Sequence, residues 1–554
     1  MNRREFFAKG AAAVALQPIL ATLAKAQNVT AAASEVHHES GEIDPVAPQP
    51  VLVPPPPTSS GAFEVGTRSQ LFVDRTLVQF TGGVAFTLHP ARKHPMNPLV
   101  KVTERWEGWR IPLYGTVLYD EEEHLFKMWY LADANRWFPN FAVYYATSRD
   151  GLVWEKPLVG AVKSPGLTQH NVVLDAGMIA NVIKDNDDPD PARRYKMVAR
   201  NHRSGTGGGP RGAKTLVSPD GIHWTRVSTK PPFFSDDVVN AFYYRRRKLF
   251  VAFPKLNTPV RGSMVRRCFG VCASADFREW SKPRLVFEPD LQDDAGTLAR
   301  IEEVRQMLDV PDNPSLMRTE FYGLGAYEAE SSILAFPWVF SINNQNRFDS
   351  NQEGPSEVQL ASSRNLENWE RHFRVPAVPR GRVGEWDCGF FTTASYAFRY
   401  NDEVRLYYSC GNYTHGTPAL YMKDGKEAFY RGSDDGRGRH YTCSIGLASW
   451  PLDRFVSADG CPEGGILTTM PVQFSGRRLE LNLNASRGQL NVTLLDAAQR
   501  PIGGYEMSDP MTSDSLRSTV TWRGNSDLSA LAGRPASLRF DLRNAELYSF
   551  AFRA

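Results

Sequence analysis

Apolar and polar positions along this 554-residue chain follow the pattern of strands almost throughout. Runs such as GTVLYD and HLFKMWYLA are short, rich in β-branched and aromatic residues, and flank the polar turn Asp120–Glu123 as a hairpin does. YKMVAR, KLFVAF, SSILAFPWVF and VRLYYSCG repeat the theme further along. One stretch breaks it. TLARIEEVRQMLDV, from Thr297 to Val310, has helical spacing, and Pro311 stops it.

The strand runs recur in groups that close alike. Tyr145 to Trp154 reads YATSRDGLVW, Leu216 to Trp224 reads LVSPDGIHW, and Val271 to Trp280 reads VCASADFREW. Leu360 to Trp369 is a fourth copy, and SIGLASW, Ser444 to Trp450, a looser fifth. In each, a β run ends in small residues, turns at Asp-Gly or a similar polar pair, and lands on a Trp. Asp and Asn bond the backbone of such a turn, Gly accepts positive φ, and Trp offers a large ring to a neighbouring layer. Repeats of several short strands, roughly 55 to 90 residues apart, predict an all-β fold built as a five-bladed β-propeller over 63–460. After Pro462 the motif vanishes. LELNLN, LNVTLLDA, STVTWRG, ASLRFDL and LYSFAF then predict a C-terminal β-sandwich over 464–554.

The N-terminus carries an address. Arg3-Arg4 precedes Phe6-Phe7, an Ala-rich run follows to Ala24, and Ala24-Lys25-Ala26 offers small residues for a signal peptidase. Residues 1–26 resemble a twin-arginine export signal, so the export machinery is an expected partner and the periplasm or exterior the expected compartment. The Ala-rich run is too short to stay as a membrane anchor after processing. Residues 27–62, with VAPQPVLVPPPPTSS, are expected to be a disordered Pro-rich linker. The net charge of +3 is slight at this length and argues against a nucleic-acid partner. Six cysteines lack CxxC or Cys/His metal spacing, so no metal site is expected.

In a propeller the innermost strand of each blade lines the central channel, so polar residues that open a blade converge there. The openings supply Asn171, then Asp237 with Asn240, then Glu320 with Tyr322, then Glu385 with Asp387. Converging carboxylates suit glycoside hydrolysis, in which one carboxyl protonates the leaving oxygen and another activates water or attacks. Glu320 is the expected general acid, Asp387 the base or nucleophile, and Asp237 the residue that tunes the acid. Trp109, Tyr114, Trp137 and Trp386 are candidates to stack on sugar faces, and His415 to bond a hydroxyl. Arg110, Tyr114, Asn171, Asn240, Tyr322, Glu385, Trp386 and His415 make up the expected substrate contacts. No cofactor is called for.

LFVDRTLV, FTLHP, KHPMNP, WEGWRIPLYGTVLYDEEEHLFKMWY, YATSRDGLVWEKP, GEWDCGF and the C-terminal strands together resemble one group. These are exported bacterial proteins similar to the five-bladed propeller glycoside hydrolases of the invertase and arabinanase type, with a terminal β-sandwich. The resemblance implies a glycosidase acting on an oligo- or polysaccharide. Two hallmarks are missing. No Asn-Asp-Pro-Asn-Gly run is present, MNPLV at Met96 being nearest, and the first inner strand LYGTVLY lacks an Asp. Fructan and arabinan are therefore not implied. Trp109-Arg110-Ile111-Pro112 is also similar to the segment that opens sialidases, and the repeated turn to their Asp box. A non-catalytic carbohydrate-binding propeller would carry the same fold and aromatic mouth.

Export is testable directly. Replacing Arg3 and Arg4 together by Lys should leave the protein in the cytoplasm on fractionation, whereas undiminished periplasmic accumulation would show that the pair is not read as a signal.

Overall fold

The computed structural model describes residues 61–554 except 134, 139–140, 176, 202–211, 263, 309, 347–349 and 417–440. The expected signal and nearly all of the expected linker lie outside the described residues. Among the described residues the chain is almost entirely β, and no helix is long and apolar enough to cross a membrane.

Five antiparallel sheets follow one another along the chain. Sheet I comprises Thr116–Asp120, Leu125–Ala132, Ala142–Ser148 and Val172–Leu174, and sheet II Gly177–Lys184, Tyr195–Asn201, Ala213–Ser218 and Thr225–Arg226. Sheet III comprises Val239–Tyr244, Leu249–Arg261, Met264–Ser274 and Arg284–Phe287. Sheet IV has Arg318–Glu328 and Ile333–Ile342, with its third rank broken into Ser356–Val358 and Ala361–Ser363. Sheet V has Phe391–Thr393, Glu403–Gly411 (flanked by Phe398–Tyr400) and Cys443–Pro451, and its outer strand is Arg92–Lys93 from the other end of the chain.

The first strands of these sheets join in a closed ring. Val182 N donates to Thr116 Oγ1 (2.9 Å) between sheets I and II, and Asn181 Nδ2 to the Val239 carbonyl (2.9 Å) between II and III. Leu324 N donates to Asn240 Oδ1 (3.2 Å) between III and IV, and Ala326 N to the Ser395 carbonyl (3.0 Å) between IV and V. Ser395 N then donates to the Gly115 carbonyl (2.8 Å), which returns the ring to sheet I. A side chain at 115 would strike the Trp129 carbonyl on the next strand of sheet I, so glycine permits the close approach of those two strands.

The repeated turns explain how the sheets stay apart and in register. Asp150 Oδ1 accepts from Leu152 N and Val153 N (2.8 and 2.9 Å), and Ser148 Oγ accepts from Gly151 N (2.9 Å). Asp220, Asp276 and Asn365 accept from the backbone at the same two offsets. The residue after the acid or amide is left-handed in all four, with φ of 77° at Gly151, 78° at Gly221, 62° at Phe277 and 67° at Leu366. The last two are fully buried, so apolar burial there offsets the cost of the conformation. Three of these turns also lean on the preceding sheet. Tyr407 of sheet V donates to the Gly151 carbonyl (2.7 Å), Trp129 of sheet I to that of Gly221 (2.7 Å), and Trp369 packs edge-on against Phe253 of sheet III. The fifth copy differs from expectation. Trp450 lies inside its strand and donates to the His89 carbonyl (2.9 Å), and Asp453, three residues on, takes the left-handed position (φ 62°).

Two larger sheets follow, besides two-stranded pairs of Phe63–Gly66 with Val472–Phe474 and of Asn344–Gln345 with Gln352–Glu353. One is ordered Asp514–Thr519, Arg478–Asn484, Ala545–Arg553, Val456–Gly460, Val84–Leu88, and the other Val78–Gly82, Gly465–Thr469, Ser537–Arg543, Gln489–Leu495. Leu479, Leu481, Leu483, Phe550 and Phe552 from the first share one buried core with Leu490, Val492, Leu494, Leu538 and Phe540 from the second. The membership corrects the expected limits. Residues 63–88 and 456–460, expected in the propeller, pair instead with C-terminal strands. The expected helix at 297–310 is found as Leu291–Ala295 and Thr297–Glu302, capped by Asp290 through a reciprocal pair with Asp293.

Gly221→Ala should destabilise the protein by about 2–4 kcal/mol in urea titrations, combining a left-handed φ with a Cβ placed 2.7 Å from Trp129. Gly533→Ala, left-handed (φ 76°) but with open space around it, should cost only about 1 kcal/mol.

Candidate active site

The ring encloses a cavity of about 210 Å³ at the end where its first strands begin. Tyr114 enters from the segment before sheet I, Tyr322 from the first strand of sheet IV, and Phe390 and Thr392 from the start of sheet V. Arg110, Tyr413 and His415 complete the wall.

Tyr322 is the hub. Its hydroxyl lies 3.1 Å from His415 Nε2, and His415 Nδ1 lies 2.7 Å from the Gln352 carbonyl. A carbonyl only accepts, so Nδ1 carries the proton and Nε2 accepts from Tyr322. The hydroxyl of Tyr114 interacts with that of Tyr322. Lys255 Nζ sits 3.8 Å from the Tyr322 ring centroid and the Arg267 guanidinium 5.1 Å from it, both drawn to the negative ring face.

Each carboxylate near this centre already has a cation. Asp237 meets Lys255 Nζ at 2.7 Å. Glu320 accepts from Arg267 Nη1 (2.7 Å) on one oxygen and from Arg318 Nε (2.8 Å) on the other. Asp133 accepts from Arg110 Nε at 2.8 and 2.9 Å. Burial disfavours charge on Asp237, but Lys255 and then Arg267 outweigh it and hold the carboxyl well below the usual range. Burial, with Arg267 adding to it, pushes Lys255 down to about 8 despite Asp237. Burial likewise lowers His415 to about 3, Arg267 again contributing, so the imidazole is neutral. Both phenols are pushed up, chiefly by burial.

Of the expected contact residues, Arg110, Tyr114, Tyr322 and His415 line the cavity. Four others do not. Asn171 is fully buried at the outer edge of sheet I, where it bonds Trp106, Tyr130 and the Tyr145 carbonyl. It lies there because it precedes the last strand of a sheet, not the first of the next. Asn240 is consumed by the ring contact to Leu324. Glu385 is exposed and accepts from Arg382 N (2.9 Å) in a turn, and Trp386 stacks on Tyr408 with centroids 5.6 Å apart. The expected acid and base are not brought together either. Glu320 is held between its two arginines behind Tyr322. Asp387 is buried against Tyr408 (2.9 Å) and Lys93 (2.6 Å), the latter on the outer strand of sheet V. Of the three expected catalytic carboxylates, only Asp237 borders the centre with an accessible side chain, 30% exposed. Lys255 and Arg267 escaped notice in the sequence. Lys255 is a lone cation in VAFPKLNTPV, and nothing local says that its face turns inward.

A larger cleft, of about 960 Å³, lies at the opposite end of the ring against the C-terminal sheets. Its charges are largely matched with each other or with neighbours, as in Arg553–Glu330, Lys184–Asp120 and Arg517–Asp402, so it reads as a seam between the two parts.

No family model matches the chain, and no curated protein is similar to it in sequence. Solved structures are. An N-acetylgalactosamine deacetylase from F. plautii, in complex with blood group B trisaccharide, aligns at TM-score 0.39 and 15% identity over 69% of this chain and 97% of its own. A β-1,2-mannobiose phosphorylase from Listeria innocua aligns at 0.38 and 11%, over 66% and 98%. A fructofuranosidase from Schwanniomyces occidentalis complexed with fructosylnystose aligns at 0.36 and 11%, over 82% and 96%. The chain is similar to these carbohydrate-active proteins, at overlaps too low to say what it acts on. Its own side chains must decide that.

His415 gives the site a measurable signature. Between its usual 6.5 and about 3, the unfolded chain binds a proton that the folded site refuses, so stability falls as pH drops through this window. His415→Gln should flatten that part of the profile, by an amount on the order of a few kcal/mol at pH 4, read as the difference from wild type in urea titrations.

Proposed function

We propose that this is an exported carbohydrate-active enzyme, a five-bladed β-propeller followed by a β-sandwich, which cleaves a glycosidic bond in the ring cavity. The observation that carries the reading is the cavity wall itself. Phenol hydroxyls, a neutral imidazole of fixed tautomer, a guanidinium and the ring of Phe390 converge on a space on the order of one sugar unit, the mix of polar anchors and apolar faces that sugar recognition uses. The closed ring of five first strands supports the blade count, and the shared core of the two C-terminal sheets supports the sandwich. The twin arginine supports export.

Hydrolysis by Glu320 and Asp387 is replaced by a reading centred on Asp237. This carboxylate is held in its charged form by Lys255 and Arg267, is part-exposed and lies beside Tyr322 of the cavity wall, and the two together are the candidate base. The pairing of every nearby carboxylate with a cation favours a second reading, a propeller that binds sugar without cleaving it.

A screen of the processed protein against an oligosaccharide panel separates the two. Turnover that falls at least a hundredfold in Asp237→Asn, and about tenfold in Tyr322→Phe, supports the enzyme. Binding without turnover supports the binding protein, and neither binding nor turnover overturns the carbohydrate reading.

A further inference from the structure

Among the described residues that line the cavity the only ionised side chain is a cation, Arg110, and none is a carboxylate. Arg110 is also held in an unusual way. Asp133 takes its Nε alone, at 2.8 and 2.9 Å, and Tyr413 lies 3.4 Å from Nη1. Nη2 has no hydrogen-bond partner among the described residues. The inner edge of the guanidinium is therefore fixed by a buried acid, while its outer fork is left to the cavity, where the side chain is 23% exposed.

The charge behind the wall has the same sign. Arg110, Arg200, Lys255, Arg267 and Arg318 face Asp133, Asp236, Asp237 and Glu320, five cations against four carboxylates, because two guanidiniums share Glu320. His415 stays neutral between them and adds no negative charge. A cavity of this kind is short of one anion.

We propose that the sugar taken by this cavity is acidic, a hexuronate whose carboxylate is held end-on by the outer fork of Arg110. A guanidinium fork matches a carboxylate in two parallel N–H···O bonds, and a desolvated site rejects the neutral isostere that leaves the fork unpaired. The inference rests on the carbohydrate reading of the same cavity. Asp133 is a positioning residue here, since it touches Arg110 and not the sugar.

Two pairs of probes that differ only at C6 test it: glucuronate against glucose, and galacturonate against galactose, titrated calorimetrically into the processed protein. The expected result is binding of at least one uronate at least tenfold tighter than its neutral partner. Arg110→Gln with Asp133→Asn, which removes both charges and keeps the hydrogen-bonding shape, should abolish that preference without moving the thermal midpoint by more than a few degrees. Arg110→Lys, which keeps the charge and loses the fork, checks the same point if the double variant fails to fold, and should retain less than a third of the preference. Neutral hexoses bound as tightly as uronates would overturn the inference and leave the carbohydrate reading standing. A uronate preference that survives in the folded variants would also overturn it, because Arg110 would not be the recogniser. Failure of all four sugars, together with no binding across the oligosaccharide panel, would overturn both.

Discussion

The ring depends on a borrowed strand. Sheet V has only three ranks of its own, and its edge is covered by Arg92–Lys93, which pairs with Ala448 and Ser449. Two residues of pairing are little, and the flanking chain reinforces them. His94 N donates to the Leu447 carbonyl (2.9 Å), Leu99 N to that of Ile445 (2.8 Å), and the Asn97 amide both donates to and accepts from Leu447 (2.9 Å each). Joining segments some 350 residues apart is entropically costly, and the cost grows only slowly with length. The same N-terminal stretch that supplies this strand has just threaded both C-terminal sheets through Val78–Gly82 and Val84–Leu88. The two ends of the chain are thus fastened together before either reaches the ring. The C-terminal sheets are better seen as the clasp of the ring than as an appendage to it.

That constraint reassigns Asp387. Its partner Lys93 lies on the borrowed strand, 2.6 Å away, and the ammonium also faces the rings of Phe391 and Tyr408. A buried ion pair adds little net stability over an apolar contact, but leaving one member unpaired is expensive. A wrong strand at the edge of sheet V would strand Asp387 without a cation. The pair ties the borrowed strand to sheet V, which accounts for a buried carboxylate that no cavity uses.

The contrast between what was readable in sequence and what was not follows from range. The Asp and Asn turns were legible because each is made by residues two and three positions apart, such as Asp150 with Leu152 and Val153. The strands and their grouping came from the same local chemistry. The fates of the carboxylates were illegible because their cations come from elsewhere: Lys255 for Asp237, Arg267 for Glu320, Lys93 for Asp387. Glu320 and Tyr322 point to one side of their strand, yet Arg267 from the neighbouring sheet fills the space in front of the acid. Asn171 was misplaced by one strand, since an outer edge and an inner opening are adjacent in sequence and look alike. Tyr322 was found because it opens a blade, Tyr114 as an aromatic near the mouth, His415 as an imidazole just after a strand, and Arg110 through the sialidase-like segment Trp109–Pro112.

The positive centre also limits the chemistry that the cavity can run. A general acid must arrive protonated, and burial raises Asp133 in that direction despite the facing Arg110. Asp237 is the reverse case, an anion secured by a buried ammonium. Lys255 titrates near 8, so below that pH it offsets the charge of Asp237, and above it the carboxylate is left facing only Arg267 and Arg200. Raising the pH thus makes Asp237 more basic while removing charge from the wall behind Tyr322. Tyr322 is the group through which such a change reaches the cavity, because its ring rests on Lys255 and its hydroxyl on His415. The cavity floor is thus one hydrogen-bonded and ion-paired unit centred on Tyr322.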